Sequence, residues 1–75
     1  MPKLPAVKDK DIVSILEKVG FEKHRQSGTS HLVMKHTDGR RTTVSIHAGK
    51  DIPKGTLLAI LRDVSISRDE FINLL

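Results

Sequence analysis

The chemistry this chain can do is concentrated in two short stretches. One is Gly28-Thr29-Ser30-His31; the other is Thr42-Thr43-Val44-Ser45-Ile46-His47, whose histidine comes sixteen residues after His31. An unperturbed imidazole, with a pKa of roughly 6.5, can take up or give a proton at neutral pH. Two of them on neighbouring strands of a cationic sheet suit acid–base attack on a phosphodiester. One would remove the proton of a ribose 2′-hydroxyl, and the other would protonate the leaving 5′-oxygen. Such a scheme calls for no metal or cofactor.

The charge distribution points the same way. The net charge is +4, and residues 21–50 hold six basic side chains against only Glu22 and Asp38. All four histidines, His24, His31, His36 and His47, fall in that segment. A positive field gathered around the histidines is what a phosphate-binding surface needs. Lys35, Arg25, Arg41 and Lys50 are the candidates to hold the phosphate and offset its developing charge. With Phe21 and Phe71 as the only aromatics, a base-stacking platform of the single-strand-binding type is not expected.

Seventy-five residues without cysteine read as one domain, 1–75, that neither disulfides nor thiolate metal sites can reinforce. No apolar run approaches the length of a membrane span, so a soluble, cytoplasmic protein is expected.

The elements that must position the histidines follow from periodicity. Met1 to Pro5 reads as an extended arm, because its two prolines disfavour a helix. Ile12, Ile15, Leu16 and Val19 recur at helical spacing over Asp9 to Val19, and Gly20 ends that helix. Phe21 to Arg25, Ser30 to Thr37 and Arg41 to His47 read as strands. Helical spacing returns from Gly55 to Val64. Ser67 and Glu70 then form a capping box before a short last helix with Phe71, Leu74 and Leu75. The expected fold is a two-layer α+β domain, α-β-β-β-α, with a three-stranded antiparallel sheet covered on one face.

Alternation assigns the faces. Leu32, Met34, Val44 and Ile46 point to the helices; His31, Val33, Lys35, Thr43, Ser45 and His47 share the open face. Core residues must oppose core residues, which requires an odd loop. A three-residue loop at Asp38-Gly39-Arg40 pairs Thr37 with Arg41, Met34 with Val44 and Leu32 with Ile46. It also sets His31 directly across from His47.

Each of these residues has a plainer reading. Exposed strand histidines are common, and two histidines without a third ligand make an incomplete zinc site. His36 has inner-face parity at the hairpin end and reads as a structural or rim residue; His24 receives no role. Gly28 is either a close approach for an RNA backbone or a bulge residue. Gly39 and Gly55 read as structural, for the hairpin turn and a helix start. Gly55-Thr56 at that helix start either binds phosphate or simply caps.

The chain resembles the HicA toxin family, small mRNA interferases of toxin–antitoxin systems. The resemblance runs through Leu16-Glu17-Lys18, Gly20-Phe21, Ser30-His31 and His36-Thr37-Asp38-Gly39-Arg40. It continues through His47, Ile52-Pro53-Lys54-Gly55-Thr56-Leu57, Ile60-Leu61-Arg62 and Glu70-Phe71. It implies a fold like a double-stranded-RNA-binding domain and cleavage of mRNA independently of the ribosome. The family's catalytic histidine, which follows Gly-Ser, corresponds to His31, with Gly28 and Ser30 as RNA contacts. Thr29 separates that glycine and serine, where the family has them adjacent. His47 stands at a position where the family often has histidine. A HicB-type antitoxin covering His31 is the implied partner. Two functions from different classes remain: an endoribonuclease toxin, or a non-catalytic RNA-binding module of the same fold. A DNA-binding regulator is weaker, since no segment reads as a helix-turn-helix.

Overall fold

A computed structural model describes residues 4–27, 31–46 and 50–75, with backbone alone at 25–27. The element order is α1 (Asp9–Lys18), β1 (Glu22–Ser27), β2 (His31–Lys35), β3 (Arg41–Ser45), α2 (Lys54–Val64) and α3 (Arg68–Leu74). The strands form one antiparallel sheet in the order β1-β2-β3, so β2 is central. This is the small α+β fold expected from the periodicity.

Helix α1 forms where Ile12, Ile15 and Leu16 line one face, and all three are buried. Asp9 and Asp11 sit in its first turn and Lys18 in its last, matching the sign of the helix dipole at each end. The Asp11 carboxylate accepts the Lys8 backbone N–H at 3.0 Å, closing the N-terminus. At the other end Phe21 N–H reaches Leu16 O and Gly20 N–H reaches Glu17 O, a Schellman arrangement. Gly20 has φ +100°, and a Cβ there would lie 2.8 Å from His36 Nε2. Both conformation and space therefore demand glycine.

Helix α2 buries Leu57, Ile60, Leu61 and Val64 and packs, like α1, against β3. Its end repeats the Schellman pattern, with Ser65 N–H to Arg62 O and Ile66 N–H to Leu61 O. Here the left-handed position is held by Ser65, at φ 56° and ψ 41°. The capping box of α3 forms as expected: Glu70 N–H donates to Ser67 Oγ, and Ser67 N–H to Glu70 Oε1. Phe71 is fully buried beneath it. Among the described residues no helix is long and apolar enough to cross a membrane.

The sheet's inner face carries Leu32, Met34, Thr42 and Val44, all buried, with Ile46 partly buried at the rim. His31, Arg41 and Thr43 are exposed on the other face, as alternation requires. The register differs from the expected one. His31 pairs with Ser45, Leu32 with Val44, Met34 with Thr42 and Lys35 with Arg41, a slip of two residues that leaves every side chain on its expected face. The three-residue loop is Thr37-Asp38-Gly39. His36 O accepts from Gly39 N–H, and His36 N–H donates to Arg40 O at 2.8 Å. Gly39 has φ +99°, and in loops of this kind the left-handed residue comes last, after a type I turn. A loop that ends on Gly39 pairs His36 with Arg40, and this sets the register two residues from that of a loop with Gly39 at its centre.

Two further differences are local. A bulge at His24, between Lys23 and Arg25, breaks the two-residue period of β1 and explains its weak pattern. The segment before α1 does more than extend: Val7 is buried, and Ile52 N–H donates to Val7 O at 2.8 Å. Lys8 bridges to Asp51, with Nζ 3.8 Å from the carboxylate. This clasp brings the N-terminal ends of α1 and α2 together.

Candidate functional site

The open face is built in rungs across the sheet. His31 occupies the first, flanked along the backbone by Ser27 of β1 and Ser45 of β3. Val33 and Thr43 form the second, with Arg25 as the β1 backbone partner of Val33. Lys35 and Arg41 form the third, with Glu22 beside Lys35. His31 and Lys35 are four residues apart on one strand, so roughly 13 Å separates the ends of this face.

His31 is exposed, and its ring makes no hydrogen bond or ion pair among the described residues. Ser45, half-buried and directly opposite, has its Cβ about 5 Å from that of His31. Ser45 also lines a cavity of about 130 Å³ between the helix N-termini, together with Lys50, Asp9 and Thr56. The structure thus sets Ser45 beside His31 at one end of the face and Lys35 beside Arg41 at the other, while Lys50 meets Ser45 across the cavity at the helix N-termini. The expected His31–His47 pairing does not form, because Ser45 holds the position opposite His31. His47 itself lies outside the described residues, as do Gly28 and Ser30. Of Arg25 the backbone alone is described.

Ser45 is the neighbour that residue types alone did not single out. Its signal was the hairpin loop: reading Gly39 as the last loop residue puts Ser45, not His47, across from His31.

His36 presents the opposite case. Its ring meets Phe21 edge-on at 5.1 Å and closes over Gly20. Nδ1 accepts the Asp38 N–H at 3.1 Å, and Asp38 Oδ1 lies 3.1 Å from the same nitrogen. Arg40 completes the cluster: its Nε donates to Asp38 at 2.7 Å, its Nη1 donates to Val64 O, and its guanidinium stacks over Phe21. A cation on the last carbonyls of α2 also complements that helix dipole. The Arg40 backbone N–H, and then its guanidinium, hold the Asp38 carboxyl below its ordinary value. Thr42 Oγ1, 3.0 Å from Asp63 Oδ2, adds a second tie between β3 and α2. So one histidine is committed to holding the hairpin, while the other is left facing solvent on a cationic surface. Among the described residues no three His, Cys, Asp or Glu side chains come together as a metal site requires.

A family model described as the HicA toxin of bacterial toxin–antitoxin systems matches residues 10–66. Comparison with curated proteins finds no match. The matched segment spans α1 to the end of α2, and so includes the whole sheet, His31 and the hairpin cluster. The chain belongs to the HicA family, the toxins of bacterial toxin–antitoxin systems.

Proposed function

We propose that this toxin is an endoribonuclease that cleaves mRNA by acid–base catalysis centred on His31. The observation that carries this reading is an exposed histidine on the central strand of a cationic face, with no structural partner among the described residues. His31 takes the 2′-hydroxyl proton, the 2′-oxygen attacks phosphorus, and the P–O5′ bond breaks. The leaving 5′-oxygen takes a proton, from His31 in its protonated form or from His47. The products are a 2′,3′-cyclic phosphate and a 5′-hydroxyl. Lys35 and Arg41 at the hairpin end, and Lys50 across the cavity from Ser45, are proposed to hold RNA phosphates. Gly28, Ser30 and Arg25 are proposed as further RNA contacts.

The test is cleavage of single-stranded RNA in EDTA by the native chain and by His31→Ala. Loss of cleavage by about 100-fold or more, with RNA still bound, supports the assignment. Binding without cleavage by either protein supports a non-catalytic RNA-binding module instead. Equal cleavage by both removes His31 from the chemistry.

The family also implies an antitoxin. We propose that a HicB-type antitoxin covers His31 and neutralises the cationic face, inhibiting cleavage. Co-expression with the product of the adjacent gene tests this. A complex that no longer cleaves RNA is the expected result; a free toxin in the presence of that product overturns it.

A further inference from the structure

We propose that the hairpin end of the open face holds a second phosphate of the RNA strand, apart from the one at His31. This rests on the ribonuclease reading above and adds to it a discrete subsite. Its outline is a cleft of about 350 Å³ lined by Lys35, His36, Gly39, Arg40 and Arg41.

The charges there are arranged for an anion. Lys35 and Arg41 are direct cross-strand partners, and like charges so placed disfavour strand pairing. Neither makes an ion pair among the described residues. Glu22 is opposite Lys35 on its other side without closing to salt-bridge distance. Asp38, the other acid nearby, is already engaged by Arg40 through both carboxylate oxygens. An anion between Lys35 and Arg41 would turn their repulsion into two charge-assisted contacts.

The walls of the cleft are fixed before any ligand arrives. Arg40 is held by Asp38, Val64 and Phe21, and His36 by Gly20 and Phe21. At Gly39 a Cβ would meet nothing within 4 Å, so the loop backbone is open to close approach. Roughly 13 Å of strand separates Lys35 from His31, so a phosphate held there belongs to a different nucleotide from the scissile one. The subsite would make binding depend on RNA length and set the strand's register over His31.

The experiment uses the full chain carrying His31→Ala, so that RNA stays intact, and measures binding of a dinucleotide and of a longer oligouridylate across salt concentrations. Lys35→Ala with Arg41→Ala should weaken binding of the longer oligomer about tenfold or more. The salt slope should fall by about 0.7, as for one single-strand phosphate contact. Arg62→Ala with Arg68→Ala, the same charge change on the helical side, should lose less. Lys35→Arg with Arg41→Lys should restore binding, and the Gly39 amide resonance should shift with the longer oligomer only. If RNA binds and the hairpin variant behaves like the helical-side variant, the subsite is overturned while the ribonuclease reading stands. If neither RNA is bound at any salt concentration, the ribonuclease reading fails and the subsite with it.

Discussion

Ser45 stands directly across the β2–β3 ladder from His31, on the same face of the sheet. It also borders the cavity that Lys50 lines, so it joins the open face to the helix N-termini. A hydroxyl at that distance can orient the imidazole or donate to a phosphate oxygen. A histidine at the end of an exposed strand otherwise has little to fix its ring.

Ser45→Ala should therefore lower cleavage about five- to tenfold, as expected if its hydroxyl makes one hydrogen bond worth about 1 kcal/mol in the RNA complex. RNA affinity should change less than the maximal rate, and Ser45→Thr should restore most of it. Single-turnover cleavage across pH is the measurement. A rate and pH profile identical to the parent's would leave Ser45 without a role in positioning His31.

Gly20→Ala should destabilise the protein by about 2 kcal/mol or more. Its φ of +100° is unfavourable for any residue with a Cβ, and that Cβ would press on His36 Nε2. Urea denaturation gives the loss. Adding His36→Ala should relieve the steric part, making the double variant more stable than the sum of the single losses. Strict additivity would mean that the two residues are not in contact.

Ser65→Gly should stabilise by about 1 kcal/mol, because Ser65 holds the left-handed position closing α2 without glycine's freedom. In a domain of this size the melting temperature should rise by about 4–8 °C. An unchanged melting curve would show that the serine pays no conformational penalty there.

Asp38 connects the hairpin to acid stability. Its folded pKa lies below the ordinary value of 3.8, first through the Arg40 N–H and then through the guanidinium. A depressed carboxyl stabilises fully above its unfolded pKa and loses that contribution as pH falls through the folded value. Stability should accordingly decline below about pH 3.8. Asp38→Asn should flatten that decline while lowering stability at neutral pH. Thermal melts from pH 7 to 2 would show it; parallel curves for parent and variant would remove Asp38 as a contributor.

Much of this architecture is local and therefore legible in the residues themselves. Ile12, Ile15 and Leu16, and Leu57, Ile60, Leu61 and Val64, mark helix faces because burying one stripe needs that spacing. Leu32, Met34 and Val44 mark the inner face of the sheet for the same reason at a period of two. Ser67 and Glu70 announce α3, and Gly20 the end of α1, through backbone groups only a few residues away. The open-face parity of His31, within the basic middle segment, is equally visible. Even the hairpin register was within reach, since Gly39 as a left-handed residue belongs at the end of its loop. Alternation alone could not find it, because registers two residues apart bury the same side chains.

What tertiary structure alone decided are relationships between distant parts of the chain. Nothing near Arg40 in sequence says that it will reach Val64 at the end of α2, or that Thr42 will meet Asp63. Parity marks His36 as a structural or rim residue, but nothing near it in sequence says that its ring will close over Gly20 and Phe21. The clasp of Val7 and Lys8 with Ile52 and Asp51, which brings the two helix N-termini beside Ser45, is of the same kind. Side-chain type and period specify which face a residue takes. Which partner it finds on that face depends on how helices and strands dock, and that is set by the whole core at once.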